Sequence, residues 1–63
     1  MLKNGIYVRV TKPGDQFYNR VGVIVDESPY SINPKLGQRY IIKFSDSPFG
    51  FGFEEEYLKE VTR

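Results

Sequence analysis

The fold is decided by a stretch of 21 residues, Gly5–Val25, which reads GIYVRVTKPGDQFYNRVGVIV. Apolar side chains at Ile6, Val8 and Val10 alternate with more polar neighbours, which is the period of a strand that buries one face. Pro13 and the glycine after it end that strand, because proline has no amide hydrogen to donate to a neighbouring strand. The stretch therefore begins as a strand followed by a polar, aromatic-bearing loop.

A second strand is predicted at Val21–Val25, which is apolar at alternate and intervening positions alike. Such a strand is typically covered on both sides or shared between two sheets. Residues 28–38 hold prolines, serines and a glycine and predict a loop, for which ordering on contact with a partner stays open. Tyr40–Phe44 alternates again as a third strand. The last segments are predicted to be a turn with a short strand, one helical turn and a final strand: Ser45–Phe53, Glu54–Leu58 and Lys59–Thr62.

Five short strands without a long helix predict an all-β fold, a small five-stranded SH3-like barrel built as a closed barrel or a rolled sheet. The whole chain, residues 1–63, is predicted to be a single domain. A chain of this size buries only about 60% of the surface that it exposes when unfolded. The predicted core consists of Ile6, Val8, Val10, Val21, Ile24, Tyr40, Ile42, Phe44, Phe53, Leu58 and Val61.

Composition argues against catalysis and predicts no cofactor. Cysteine and histidine are both absent, which excludes disulfides, thiolate metal sites and the usual general base near neutral pH. The run Glu54–Glu56 lacks EF-hand spacing and reads as a solvated acidic edge. Gly50 and Gly52 form a Gly-x-Gly pair without a following helix to hold phosphate, so they are expected to serve turns beside phenylalanines.

Binding is better supported, because cations and aromatics are interleaved along the first two-thirds of the chain. Residues 1–43 carry seven Lys/Arg against three Asp/Glu, whereas residues 44–63 carry two against five. Such a mixture can hold an acidic protein patch or stack on nucleic-acid bases. The alternative is that Tyr18 covers the barrel end and the cations only maintain solubility. The predicted partner-binding residues are Arg9, Lys12, Phe17, Tyr18, Arg20, Arg39 and Lys43.

Two further features of the sequence bear on the expected ligand and on the expected cellular location. The chain has no tryptophan, which disfavours recognition of polyproline ligands in the manner of peptide-binding SH3 domains. No apolar run approaches the roughly 20 residues needed to cross a bilayer, and the N-terminus is too short and polar for a secretory signal. The expected location is cytoplasmic, with attachment to the cytoplasmic or stromal side of a membrane complex left open.

Three segments resemble a known family. Val8–Val10 with Lys12 and the run Phe17–Val23 resemble the opening of the photosystem I reaction-centre subunit IV family. Arg39–Phe44 and Phe53–Val61 resemble a later strand and the closing segment of the same small SH3-like proteins. Subunit S of the NADH dehydrogenase-like complex and the small extra subunit of the cyanobacterial cytochrome complex are similar as well.

The resemblance implies a non-catalytic accessory subunit of a larger, membrane-bound protein complex, without membrane insertion of its own. Its basic face would help dock an acidic electron carrier such as ferredoxin. A KOW-like barrel associated with nucleic acid, polymerase or ribosome, encoded by a phage or a cell, is the alternative. Near-zero net charge disfavours it, because affinity for nucleic acid is built largely on cations at phosphates. Dimerisation through an exposed strand edge is a third possibility.

Overall fold

The structure, a computed structural model, describes residues 2–28 and 38–61. Five antiparallel strands form one sheet in the order β4-β3-β2-β1-β5. A 3-10 turn, Glu55–Tyr57, joins the last two strands, as the sequence predicts. The strands are β1 Tyr7–Val10, β2 Val21–Glu27, β3 Arg39–Lys43, β4 Gly50–Glu54 and β5 Leu58–Glu60.

The prediction of a small five-stranded all-β fold of the SH3-like kind is confirmed. The sheet curls around its core but is not closed, because β4 and β5 are its two edges and do not pair with each other. Of the closed barrel and the rolled sheet, the rolled sheet is therefore the one observed. The predicted loop at residues 28–38 lies, apart from Ser28 and Gln38, outside the described residues.

The hydrophobic core lies on the inner face of the sheet. Eight of the eleven predicted core residues are buried there, whereas Ile6 is partly buried against the core and Val61 is half-buried. The assignment of Val21 to the core is wrong, because this residue is on the outer face and 42% exposed. Leu2, which the sequence analysis left out, is buried as well, and its carbonyl accepts a 3.5 Å hydrogen bond from the Tyr40 hydroxyl. Burial raises the pKa of that tyrosine, and the carboxylates of Glu55 and Glu27 raise it further. The buried set is Leu2, Val8, Val10, Ile24, Tyr40, Ile42, Phe44, Phe53 and Leu58.

The prediction that Val21–Val25 is covered on both sides is wrong. Val21 and Val25 are 42% and 43% exposed, while Gly22 and Ile24 point inward, so β2 is a half-buried strand like β1. The error has a physical cause, because a glycine at the inward position hides the alternation that a larger side chain would have displayed. A β-bulge after Ile24 then shifts the register of the strand against β3.

Gly22 is needed for space. A Cβ at this position would lie 2.6 Å from the Ile42 Cγ2, 2.9 Å from the Lys43 carbonyl oxygen and 2.9 Å from the Phe44 Cδ1. A side chain here would therefore push against two core residues and against backbone that is held in the sheet. The missing side chain therefore leaves room for Ile42 and Phe44 to pack against the backbone of β2.

Gly22→Ala is expected to lower the free energy of unfolding by about 1–3 kcal/mol, the usual cost of overpacking a core. In a domain of this size each kcal/mol corresponds to roughly 4–8 °C in melting temperature, which thermal denaturation followed by circular dichroism will resolve. Gly52→Ala is the matched control, since its added Cβ meets only the mobile end of the Arg39 side chain. Equal losses in the two variants would contradict the inward placement of Gly22.

Candidate functional site

The outer face of the sheet carries an apolar row that runs from Val61, just after β5, across β1 to β2, with Lys43 of β3 at its end. Tyr7 lies opposite Val23 in the β1–β2 register, and Val23 lies opposite Lys43 in the β2–β3 register. On the other side of β1, the amide of Val61 donates a 2.8 Å hydrogen bond to the Tyr7 carbonyl oxygen. Strand alternation places Val21 on the same face, one step along β2. These residues present large apolar groups to solvent, with Tyr7 41% exposed.

An open cleft of about 890 Å³ lies over this row. Its floor is formed by Tyr7, Val21, Val23 and Val61, and the loop between β3 and β4, residues 45–48, contributes to its lining. Contiguous apolar surface of this kind on a small domain is typical of an interaction site, because its exposure to water is unfavourable until something covers it. The cleft is therefore the part of the described surface best formed to hold another molecule.

Cations lie on opposite sides of the cleft. Lys43 lines it directly on β3. Arg9 lies opposite Val21 and also opposite Lys59 of β5, so both of these cations lie one step beyond the cleft floor on the same outer face. The Arg9 guanidinium donates a 2.9 Å hydrogen bond to the Asn19 side-chain oxygen, which holds it at the β1–β2 end. Within residues 2–28 and 38–61, Lys43 and Lys59 are in no salt bridge.

Two of the predicted site residues lie elsewhere. Arg39 is four residues before Lys43 on β3, or roughly 13 Å along the strand. It lies opposite Glu54 and extends over Gly52, whose missing Cβ leaves it room. Lys12 places its Nζ 5.4 Å from the ring centroid of Tyr57, beside the 3-10 turn. Neither residue belongs to the cationic surface around the cleft.

Arg20 is engaged by the protein itself. Its guanidinium forms a 2.7 Å salt bridge with Asp46, in the β3–β4 loop, and lies over the rings of Phe17 and Phe44. The hydrogen bond from Arg20 lowers the pKa of the Asp46 carboxyl below its ordinary value. Asp46 lines the cleft, but its charge is paired with that of Arg20.

The two predicted loop aromatics have different environments. Phe17 is half-buried and stacks on Phe44, with ring centroids 4.6 Å apart and planes 7° from parallel, and it also contacts Phe51 and Phe53. The Phe17 ring covers the end of the core. The alternative interpretation of the sequence assigned this role to Tyr18. Tyr18 is 56% exposed and does not belong to the hydrophobic cluster formed by the described residues.

The seven predicted site residues therefore do not form one surface. Arg9 and Lys43 lie on the cleft face, whereas Lys12 contacts the Tyr57 ring, Arg20 is paired with Asp46, and Arg39 lies opposite Glu54. Phe17 packs inward and Tyr18 is exposed. Sequence reasoning missed Lys59 and the apolar floor. For Lys59 the predicted strand gave the opposite signal. That strand was placed at Lys59–Thr62 with Val61 in the core, so alternation would turn Lys59 inward as well. The observed β5 begins at Leu58, which is buried, and Lys59 therefore points outward.

Comparison with known proteins yields no relative: no family model, no curated protein and no solved structure matches this chain. The residues that the structure describes include no helix with the length and apolar character to span a bilayer.

Proposed function

We propose that this chain is a non-catalytic protein-binding module that attaches to an acidic surface of a larger protein assembly through the outer face of its sheet. One observation carries the proposal: exposed apolar groups at the centre of that face lie between Lys43 on one side and Arg9 with Lys59 on the other. Interfaces between proteins typically place apolar and aromatic groups at the centre and charged groups at the rim.

The charges around the cleft indicate an acidic partner. In the described cleft lining the charged residues are Lys43 and Asp46, and Asp46 is paired with Arg20, while Arg9 and Lys59 lie just beyond the lining. A partner with carboxylates around an apolar centre would complement this surface. Electrostatic complementarity of this kind raises association rates and is screened by salt.

The finer proposal rests on the sequence resemblance. It makes the chain a peripheral subunit of a photosynthetic membrane complex, which aids assembly and docks an acidic electron carrier such as ferredoxin. Arg9 and Lys43 are the residues of the resemblance that lie on the cleft face. Lys59 adds a third cation beside them.

Charge reversal tests the proposal. The double variant Lys43→Glu with Lys59→Glu is expected to weaken capture of the partner by on the order of tenfold or more, because like charges then face each other across the interface. The protein, immobilised, is exposed to an extract of its native host, and the retained molecules are identified by mass spectrometry and eluted by increasing salt. Lys3→Glu, an exposed cation outside the cleft lining, is the control.

The outcomes of this experiment distinguish the proposed protein docking from the KOW-like alternative. Retention of a defined protein complex that weakens with salt and in the double variant, but not in the control, supports the proposal. Photosynthetic membrane subunits in that complex would support its finer form. Retention of RNA or DNA in place of protein would favour the KOW-like alternative, and protein capture that is indifferent to salt and to the variants would contradict electrostatic docking.

A further inference from the structure

The cleft face also restricts the form of the partner, an inference that rests on the proposed function. We infer that the cleft binds an extended acidic segment of the partner in which two carboxylates flank one apolar residue, in the pattern acidic-x-apolar-x-acidic. Three features of the outer face lead to this pattern: the apolar floor, the separation of the flanking cations and the position of the β3–β4 loop.

The floor requires one apolar side chain. Val23 on β2, Tyr7 on β1 and Val61, just after β5, lie side by side. Val21, two residues before Val23 on β2, extends the floor. Burying one leucine-sized group against such a surface removes apolar area from water on both partners. A single central apolar anchor of this kind commonly supplies most of the affinity of a small interface.

The cations set the spacing of the acids. Lys43 is on β3 and Lys59 on β5, with β2 and β1 between them in the sheet. Three inter-strand spacings amount to about 14 Å. Lys59 also lies two residues along the sheet from the row that contains Lys43, so the two Cα atoms are roughly 16 Å apart. An extended chain advances about 13–14 Å over four residues, and residues i, i+2 and i+4 point to the same side. Carboxylates at i and i+4 therefore come within reach of the long lysine side chains while the residue at i+2 faces the floor.

The position of the loop between β3 and β4 favours an extended peptide segment, rather than the broad surface of a folded domain, as the ligand of the cleft. Ser45 and Pro48 line the cleft beside Lys43, so the binding region is bordered on that side. Arg20 and Asp46 form a salt bridge, so among the described residues of the cleft lining Lys43 carries the cationic charge that is not in a salt bridge. A narrow segment lying across the strands contacts the floor and both lysines without displacing the loop.

The test uses a synthetic peptide with blocked ends, whose central residues are glutamate, serine, leucine, serine and glutamate between flanking glycines. Binding to the isotopically labelled protein is followed by NMR chemical-shift changes and by calorimetry. We expect saturable binding with the largest amide shifts at the cleft face. Replacing the leucine by serine is expected to weaken binding about tenfold, and a peptide of the same composition with adjacent glutamates is expected to bind at least about fivefold more weakly.

A variant of the protein checks the floor independently of charge. Val21 is 42% exposed, so Val21→Thr leaves the fold intact and removes only an apolar group from the cleft. The preference for leucine over serine in the peptide is expected to shrink in this variant. Lys3→Glu again serves as a control and is expected to leave peptide binding unchanged.

Three results would overturn the inference: no binding of the peptide, equal binding of all three peptides, or shifts that fall outside the cleft face. Its failure is distinguishable from failure of the proposed function. If the native partner is captured in a manner that depends on Lys43 and Lys59, while the peptide neither binds nor competes, the docking role stands and the extended-segment pattern is wrong.

Discussion

Ile42→Asp is expected to abolish folding. Ile42 is fully buried on β3, opposite Ile24 on one side and Phe51 on the other. An aspartate there would place a carboxylate among apolar side chains, and burying a charge without a partner costs several kcal/mol or forces the group to take up a proton. That cost is comparable with the whole stability of a small domain, which is about 5 kcal/mol at the low end.

Circular dichroism and thermal denaturation will measure this effect. Val21→Asp is the matched control, because Val21 is 42% exposed and its new carboxylate would face Arg9 across the β1–β2 pair. The control is expected to change the free energy of unfolding by no more than about 1 kcal/mol. A melting temperature of Ile42→Asp equal to that of the unmodified protein, or unfolding of the control alone, would show that the inner and outer faces have been exchanged.

The second large effect is expected at Phe17, whose ring closes the end of the core. Its stacking on Phe44 and its tilted contact with Phe51, both with centroids 4.6 Å apart, are lost in Phe17→Ala. Phenylalanine-to-alanine changes in full cores cost about 3–5 kcal/mol, and because Phe17 is half-buried the expected loss is about 2–3 kcal/mol. The melting temperature should fall by roughly 10–20 °C.

The adjacent Tyr18→Ala provides a close comparison, since the two aromatics are neighbours in one loop. Tyr18 is 56% exposed, and its truncation is expected to cost no more than about 0.5 kcal/mol. Urea denaturation of the two variants, under the same conditions, gives the two free energies directly. A larger loss for Tyr18 than for Phe17 would mean that the loop is turned the other way and that Phe17 faces solvent.

The strand pattern could be predicted from the sequence because β1 and β3 alternate cleanly. Val8, Val10, Tyr40 and Ile42 were assigned to the core from that alternation and are buried. β2 could not be assigned in the same way. Its first inward position is occupied by Gly22, because Ile42 and Phe44 leave no room for a side chain there. This requirement comes from β3 and the residue that follows it, so the sequence of β2 alone does not reveal it.

The candidate site was less predictable because it depends on register between strands. Single-sequence patterns place Arg9 and Lys43 on outer faces, but they do not show that both flank the same apolar row. The same limitation explains Arg39, which lies opposite Glu54 only in the paired β3 and β4. Which of two neighbouring loop aromatics turns inward is likewise decided locally.

The local cause is visible at Phe17. Its amide donates a 2.8 Å hydrogen bond to the Asp15 side-chain oxygen, and the Tyr18 amide donates a 3.0 Å hydrogen bond to the Asp15 carbonyl. Asn19 follows with a φ of 68°, a left-handed conformation that asparagine tolerates. These turns direct Phe17 toward Phe44, and composition alone does not specify them.

The surface that we propose for holding an acidic partner is the outer face of β5, β1, β2 and β3. The most direct test of this proposal is to record the amide NMR spectrum of the labelled protein while the protein complex recovered by capture is added. We predict that signal loss and shifts concentrate at Tyr7, Arg9, Val21, Val23 and Lys43, and that added salt reverses them. Changes confined to other surfaces, or changes that persist at high salt, would contradict the proposal.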